Sequence, residues 1–154
     1  MGVIEYVTGI LFVYATGALS ALGMKSDKSF DFQQYVKNRK KSWLDPPDIA
    51  FSIVWPILYT LEGIVLGALL IDPNWILINM FILQTLISAS WTWIFFRWNE
   101  KRIALDILVC TVACSILLAC FMWKEFYRTQ VWLFLPYILW CSFACILNYM
   151  NLNH

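Results

Sequence analysis

Apolar residues along this chain do not alternate with polar ones. They gather in five long runs, at about 3–23, 49–71, 75–96, 103–123 and 131–150. Each run is close to the ~20 residues that an α-helix needs to cross a hydrocarbon core. A closed β-barrel is the other way to satisfy a backbone in lipid, but its strands alternate apolar and polar positions. The pattern therefore predicts an all-α integral membrane protein, a five-transmembrane-helix bundle forming one domain over 1–154. The first run has Glu5 where a secretory leader has basic residues, and it is longer than a leader's apolar core. It is read as a retained helix, although "GALSALG" at its end resembles a small-residue cleavage site.

The polar segments between the runs set an orientation. Loop 24–48 is long and basic, with Lys25, Lys28, Lys37, Arg39, Lys40 and Lys41. The third loop adds Arg97, Lys101 and Arg102, while the fourth has only Lys124 and Arg128. With five spans, the first and third loops lie on the C-terminal side, so nine basic residues face two. The positive-inside rule then places loop 24–48 and the C-terminus in the cytoplasm, with the N-terminus outside. The short later loops predict that sequential helices are antiparallel neighbours. Pro46 and Pro47 mark where the first loop stops and the second helix starts, because they cannot continue a helix from the loop and proline is tolerated in a helix's first turn. Pro56 and Pro136 fall inside spans, where each removes a helix hydrogen bond.

Composition agrees with lipid as the main partner. The chain is 61% hydrophobic and 14% charged, against roughly 25% charged in soluble domains. A net charge of +1 gives no electrostatic argument for a nucleic-acid partner. Cys110, Cys114, Cys120, Cys141 and Cys145 lie in apolar runs without a C-x-x-C pair. They read as small packing residues rather than a disulfide framework or a metal site. The single histidine is His154, so no internal imidazole is offered to a metal or to haem iron.

Polar groups inside spans are costly and usually face the bundle interior. Glu62 is the strongest such signal, on one helix face with Trp55 and Tyr59 by i, i+4, i+7 spacing. It reads either as a polar anchor or proton site in a cavity, or as an interhelical hydrogen-bond partner of Gln84, Ser88 or Tyr59. Gln84, Ser88 and Thr92 form an i, i+4, i+8 stripe, either polar glue between helices or one wall of a pocket. On the fifth run Trp132, Pro136, Trp140 and Ala144 share a stripe. Trp132 suits an interfacial anchor, whereas Trp140 is deeper, where an indole N–H needs a partner. Gly63 and Gly67 allow close helix approach, within one chain or between two.

These residues resemble a known family. Trp43-Leu-Asp-Pro46-Pro47 followed by Val54-Trp55-x-x-Leu58-Tyr59-x-x-x-Gly63 is similar to the signature of the translocator protein family, whose bacterial members are called tryptophan-rich sensory proteins. The resemblance continues through Gln84-x-x-x-Ser88-x-x-Trp91-x-x-x-Phe95-Phe96 and Ala104-Leu105-Asp106-Ile107. It closes on Leu135-Pro136-Tyr137-x-x-Trp140-x-x-Phe143-Ala144-x-x-Leu147-Asn148, so it covers the second to fifth runs in order. It implies a five-helix bundle with a cavity toward the cytoplasmic side, lidded by the first loop. It also implies binding of porphyrins such as protoporphyrin IX and of other flat aromatic ligands, with no required cofactor, and a homodimer.

Positions matching Trp55 and Trp140 line the family's pocket. The expected site adds Trp43, Phe51, Tyr59 and Glu62 from the N-terminal side, Gln84, Ser88 and Trp91 from the third run, and Phe143, Ala144 and Leu147 from the fifth. Three positions depart from the family. Ser88 stands where Asn is usual, Glu62 where an apolar residue is common, and "MNLNH" after Tyr149 lacks the basic residue of a proposed sterol motif.

Three functions follow as expectations. The first is a membrane receptor or carrier for porphyrin-type tetrapyrroles, held by stacking on indoles. The second is light- and oxygen-dependent porphyrin degradation, with Trp55 and Trp140 as its catalytic residues. The third is a proton-coupled small-molecule transporter using Glu62.

Overall fold

The computed structural model describes residues 2–23 and 46–153. Five helices carry them: α1 (Gly2–Leu22), α2 (Asp48–Ile71), α3 (Trp75–Thr92), α4 (Lys101–Lys124) and α5 (Arg128–Met150). A π-helical turn, Trp93–Arg97, prolongs α3, and a 3-10 turn, Asn151–Asn153, follows α5. All five helices are long and apolar enough to cross a membrane. The five predicted runs are thus helices of spanning length, with ends moved by at most three residues once the π-turn is counted with α3. Leu11, Ile57, Leu83, Leu117 and Leu139 are exposed on the outside of the bundle, which is where lipid replaces water as the solvent of an apolar side chain.

The local chemistry of the ends explains the boundaries. Pro47, with φ −55° and ψ 143°, is the residue before α2, so the helix starts directly after the proline pair. Asn74 caps α3 by accepting from the Leu77 N–H at 3.3 Å. The end of α4 is a Schellman turn: Tyr127 N–H donates to the Met122 carbonyl, and Phe126 N–H to that of Trp123. That turn needs a left-handed residue, and Phe126 takes the role at φ 66°. It lets α5 begin at Arg128, three residues before the apolar run does. At the other end of the molecule Asn99, at φ 55°, reverses the chain between the π-turn and α4.

The helices form a ring in the order α1, α2, α5, α4, α3, with α3 returning to α1. The short loops do make α3–α4 and α4–α5 neighbours. The three-residue link leaves α2 and α3 in only slight contact, because α2 packs mainly on α1 and then on α5. Glycine explains the α1–α2 contact. A Cβ on Gly9 would collide with the carbonyl oxygen of Gly63 and come 2.7 Å from the nitrogen of Gly67. A Cβ on Gly63 would sit 2.5 Å from the Ile10 Cα, and one on Gly67 2.6 Å from the Tyr6 Cα. The G-x-x-x-G pair thus serves a crossing within the chain.

Packing is uneven along the bundle axis. Leu69, Phe81, Leu118, Met122 and Phe134 are fully buried, all near the end that carries the second and fourth loops. There Phe134 stacks on Tyr137 with centroids 5.3 Å apart, and the Tyr127 hydroxyl ties the two loops together by donating to the Asp72 carbonyl at 2.9 Å. At the opposite end Ile94, Phe95, Phe96 and Ala104 make a second, smaller cluster. Asn148 Nδ2 donates to the Lys101 carbonyl there at 3.0 Å, joining α5 to the start of α4.

Candidate functional site

The seam between the first half of α2 and the second half of α5 is almost wholly aromatic. Helical spacing brings Phe51, Trp55 and Tyr59 to one face of α2, and Trp140 and Phe143 to the facing side of α5. The Trp55 and Trp140 rings meet edge to face, with centroids 6.4 Å apart and planes at 88°. Phe51 touches Trp140 at 5.6 Å, Tyr59 touches Trp55 at 5.4 Å, and Phe143 touches Trp140 at 5.8 Å. Tyr59 also reaches α1. Its ring lies 5.7 Å from that of Tyr14 and lies where a Cβ on Gly17 would be. Ala144 is half-buried and Leu147 buried on α5 beyond Trp140.

One feature of this seam is chemically unfinished. The Trp140 Nε1–H is buried without a hydrogen-bond partner among the described residues. Such an orphan donor costs about 1–3 kcal/mol, so an acceptor supplied from outside the described residues would be held strongly.

Below the aromatics lies a polar network that crosses the bundle. Glu62 and Gln84 are both buried. Gln84 Nε2 donates to Thr85 Oγ1 at 2.9 Å and, at 3.4 Å, to Glu62 Oε1. Ser115 on α4 completes the set by donating to Gln84 Oε1 at 3.2 Å. Gln84 thus links α2, α3 and α4, and Glu62 has the interhelical partner foreseen for it. Ser88 accepts from the Tyr137 hydroxyl at 2.8 Å, so its oxygen ties α3 to α5.

The expected site residues divide. Phe51, Trp55, Tyr59, Trp140 and Phe143 come together, with Glu62, Gln84 and Ser88 beneath them. Trp91 does not join them. It stacks on Phe95 with centroids 5.0 Å apart, in the cluster between α3 and α4, and its Nε1–H is buried with no partner among the described residues. Trp43 lies outside the described residues. The Gln84-Ser88-Thr92 stripe also divides, since Thr92 turns toward α1 and its hydroxyl lies 2.6 Å from that of Ser20. Thr85, Ser115 and Tyr137 enter the network without having been anticipated. The signal available for them was weak, because a hydroxyl in a span usually bonds its own helix, as Thr111 does at 2.9 Å to the Ile107 carbonyl.

Comparison with known proteins agrees with this architecture. The tryptophan-rich protein TspO of Chlorobaculum tepidum is 29% identical over 121 residues, covering 74% of this chain and 74% of the relative. The protein of the same name from Bacillus cereus is 28% identical over 119 residues, covering 71% and 72%. An uncharacterised membrane protein of Bacillus subtilis, YtaB, is 25% identical over 122 residues, covering 76% and 77%. The sequence model of the TspO/MBR family matches residues 9–152, and this five-span membrane protein belongs to that family.

Proposed function

We propose that the protein is a membrane receptor or carrier that binds porphyrin-type tetrapyrroles and other flat apolar ligands at the α2–α5 seam. The observation that carries this reading is the facing pair Trp55 and Trp140, together with an indole N–H on Trp140 that is buried and has no partner among the described residues. Large aromatic faces suit a flat π-system, and the orphan N–H suits an acceptor on its edge. The indoles now touch each other, so a ligand between them must turn the rings or part the helices. Pro56, one residue from Trp55, supports such movement: it leaves the Ser52 carbonyl without its usual donor. Stacking rather than iron ligation is the mode this chain supports, since its one histidine is His154.

Titration of the purified protein with protoporphyrin IX tests the reading, using quenching of tryptophan fluorescence in the dark. Saturable quenching is expected, weakened at least tenfold in Trp55→Ala and in Trp140→Ala. Wild-type affinity in both variants would refute the site. The same titration under illumination in air separates binding from degradation, which would give a new absorbing product dependent on both indoles.

A further inference from the structure

A groove of about 290 Å³ runs between the last turns of α1 and α3, on the outer face of the bundle and away from the α2–α5 seam. Leu19, Leu86 and Trp98 form its exposed rim. Its floor has hydroxyls, but they are all committed to the protein. Ser20 Oγ donates to the Ala89 carbonyl at 2.9 Å, and Thr16 Oγ1 to that of Val13 at 2.8 Å. Ser90 Oγ donates to the Ile87 carbonyl at 2.6 Å. The Trp93 indole N–H is likewise spent on the Leu19 carbonyl, at 3.1 Å. The floor therefore has no side-chain donor to spare and takes an apolar occupant. Its volume lies at the low end of the ~300–1,000 Å³ typical of ligand pockets, which fits a single chain better than a ring system.

A cation stands at its mouth. The Arg97 guanidinium lies over the Trp93 ring, 5.1 Å from the centroid. A guanidinium presents a planar fork suited to phosphate. This is also the bundle end that carries Lys101 and Arg102, and basic sites between spanning helices at such an end bind anionic headgroups. From the apolar floor and the charge at the rim together, we propose that the α1–α3 groove holds an acyl chain of an anionic phospholipid, with its phosphate on Arg97. The site is independent of the porphyrin reading.

Native mass spectrometry of the full chain in detergent tests it, with phosphatidylglycerol or phosphatidylcholine of identical chains added. Wild type is expected to retain phosphatidylglycerol about fivefold better, the equivalent of the ~1 kcal/mol that one basic side chain contributes near an anionic surface. Arg97→Gln is expected to erase the preference. Leu86→Trp, a substitution on the exposed rim, is expected to fill the groove and reduce retention of both lipids. Equal retention of the two lipids by wild type would overturn the proposal, as would an unchanged preference in Arg97→Gln. A lipid-free species of two chains that Leu86→Trp splits into single chains would also overturn it, by making a second copy the occupant.

Discussion

At the scale of single residues, Gln84 decides how the interior holds together. Its amide serves as donor to Thr85 and Glu62 and as acceptor for Ser115, so one side chain satisfies groups on three helices. Gln84→Leu keeps the volume close but leaves Glu62 and Ser115 without these bonds, and should cost about 1–3 kcal/mol. Glu62→Gln keeps a carbonyl oxygen facing the amide and should cost less than Gln84→Leu. Thermal unfolding in detergent followed by circular dichroism checks the ranking. A Gln84→Leu protein as stable as wild type would show that the network contributes nothing. The sequence made Glu62 and Gln84 legible because a carboxyl and an amide are conspicuous in a span. It did not separate Thr92 from Ser88, since three residues on one helix stripe can face two different neighbours once the helix is packed between them. Nor did it reveal the Tyr137–Ser88 bond, which depends on how α5 is rotated against α3.

Among the helices, two contacts depend on backbone conformation or proximity rather than on apolar area. In the α1–α2 crossing, Gly9 meets the backbone of Gly63 and Gly67, and no side-chain rotation can make room for a Cβ there. Gly9→Ala should therefore destabilise the bundle by about 1–3 kcal/mol through overpacking, while Ala18→Leu on the exposed side of the same helix should leave stability nearly unchanged. A shared melting temperature for the two variants would deny the crossing its role. The turn between α4 and α5 carries the opposite opportunity. Phe126 is left-handed and 80% exposed, so it bears the steric cost of that conformation, about 1–2 kcal/mol, with little packing in return. Phe126→Gly should raise stability by about 1 kcal/mol, read in the same melting experiment. Helix existence and ends were legible in the apolar runs and prolines. The neighbour order was not, because loop length constrains only where a helix starts, while the Gly9–Gly63–Gly67 contact draws α1 against α2 across a much longer connection.

For the molecule as a whole, the two ends differ in kind. The end with the second and fourth loops is closed by packed side chains such as Phe81, Met122 and Phe134 and by the Tyr127–Asp72 bond. The proposed ligand seam lies toward the other end, where α2 begins and α5 finishes, beside the most basic loops. Which compartment that end faces follows from charge. Nine basic residues adjoin it and two adjoin the opposite end, so the positive-inside rule predicts that the seam is reached from the cytoplasm. A C-terminal fusion should accordingly be fluorescent with green fluorescent protein and inactive with alkaline phosphatase, which needs an oxidising compartment. Changing all six basic residues of loop 24–48 to Gln leaves three basic residues facing two, and the bias should nearly vanish. Phosphatase activity should then rise as a fraction of chains inserts in the reverse sense. An active phosphatase on the unaltered chain would invert the orientation, and with it the side from which a ligand would reach Trp55 and Trp140.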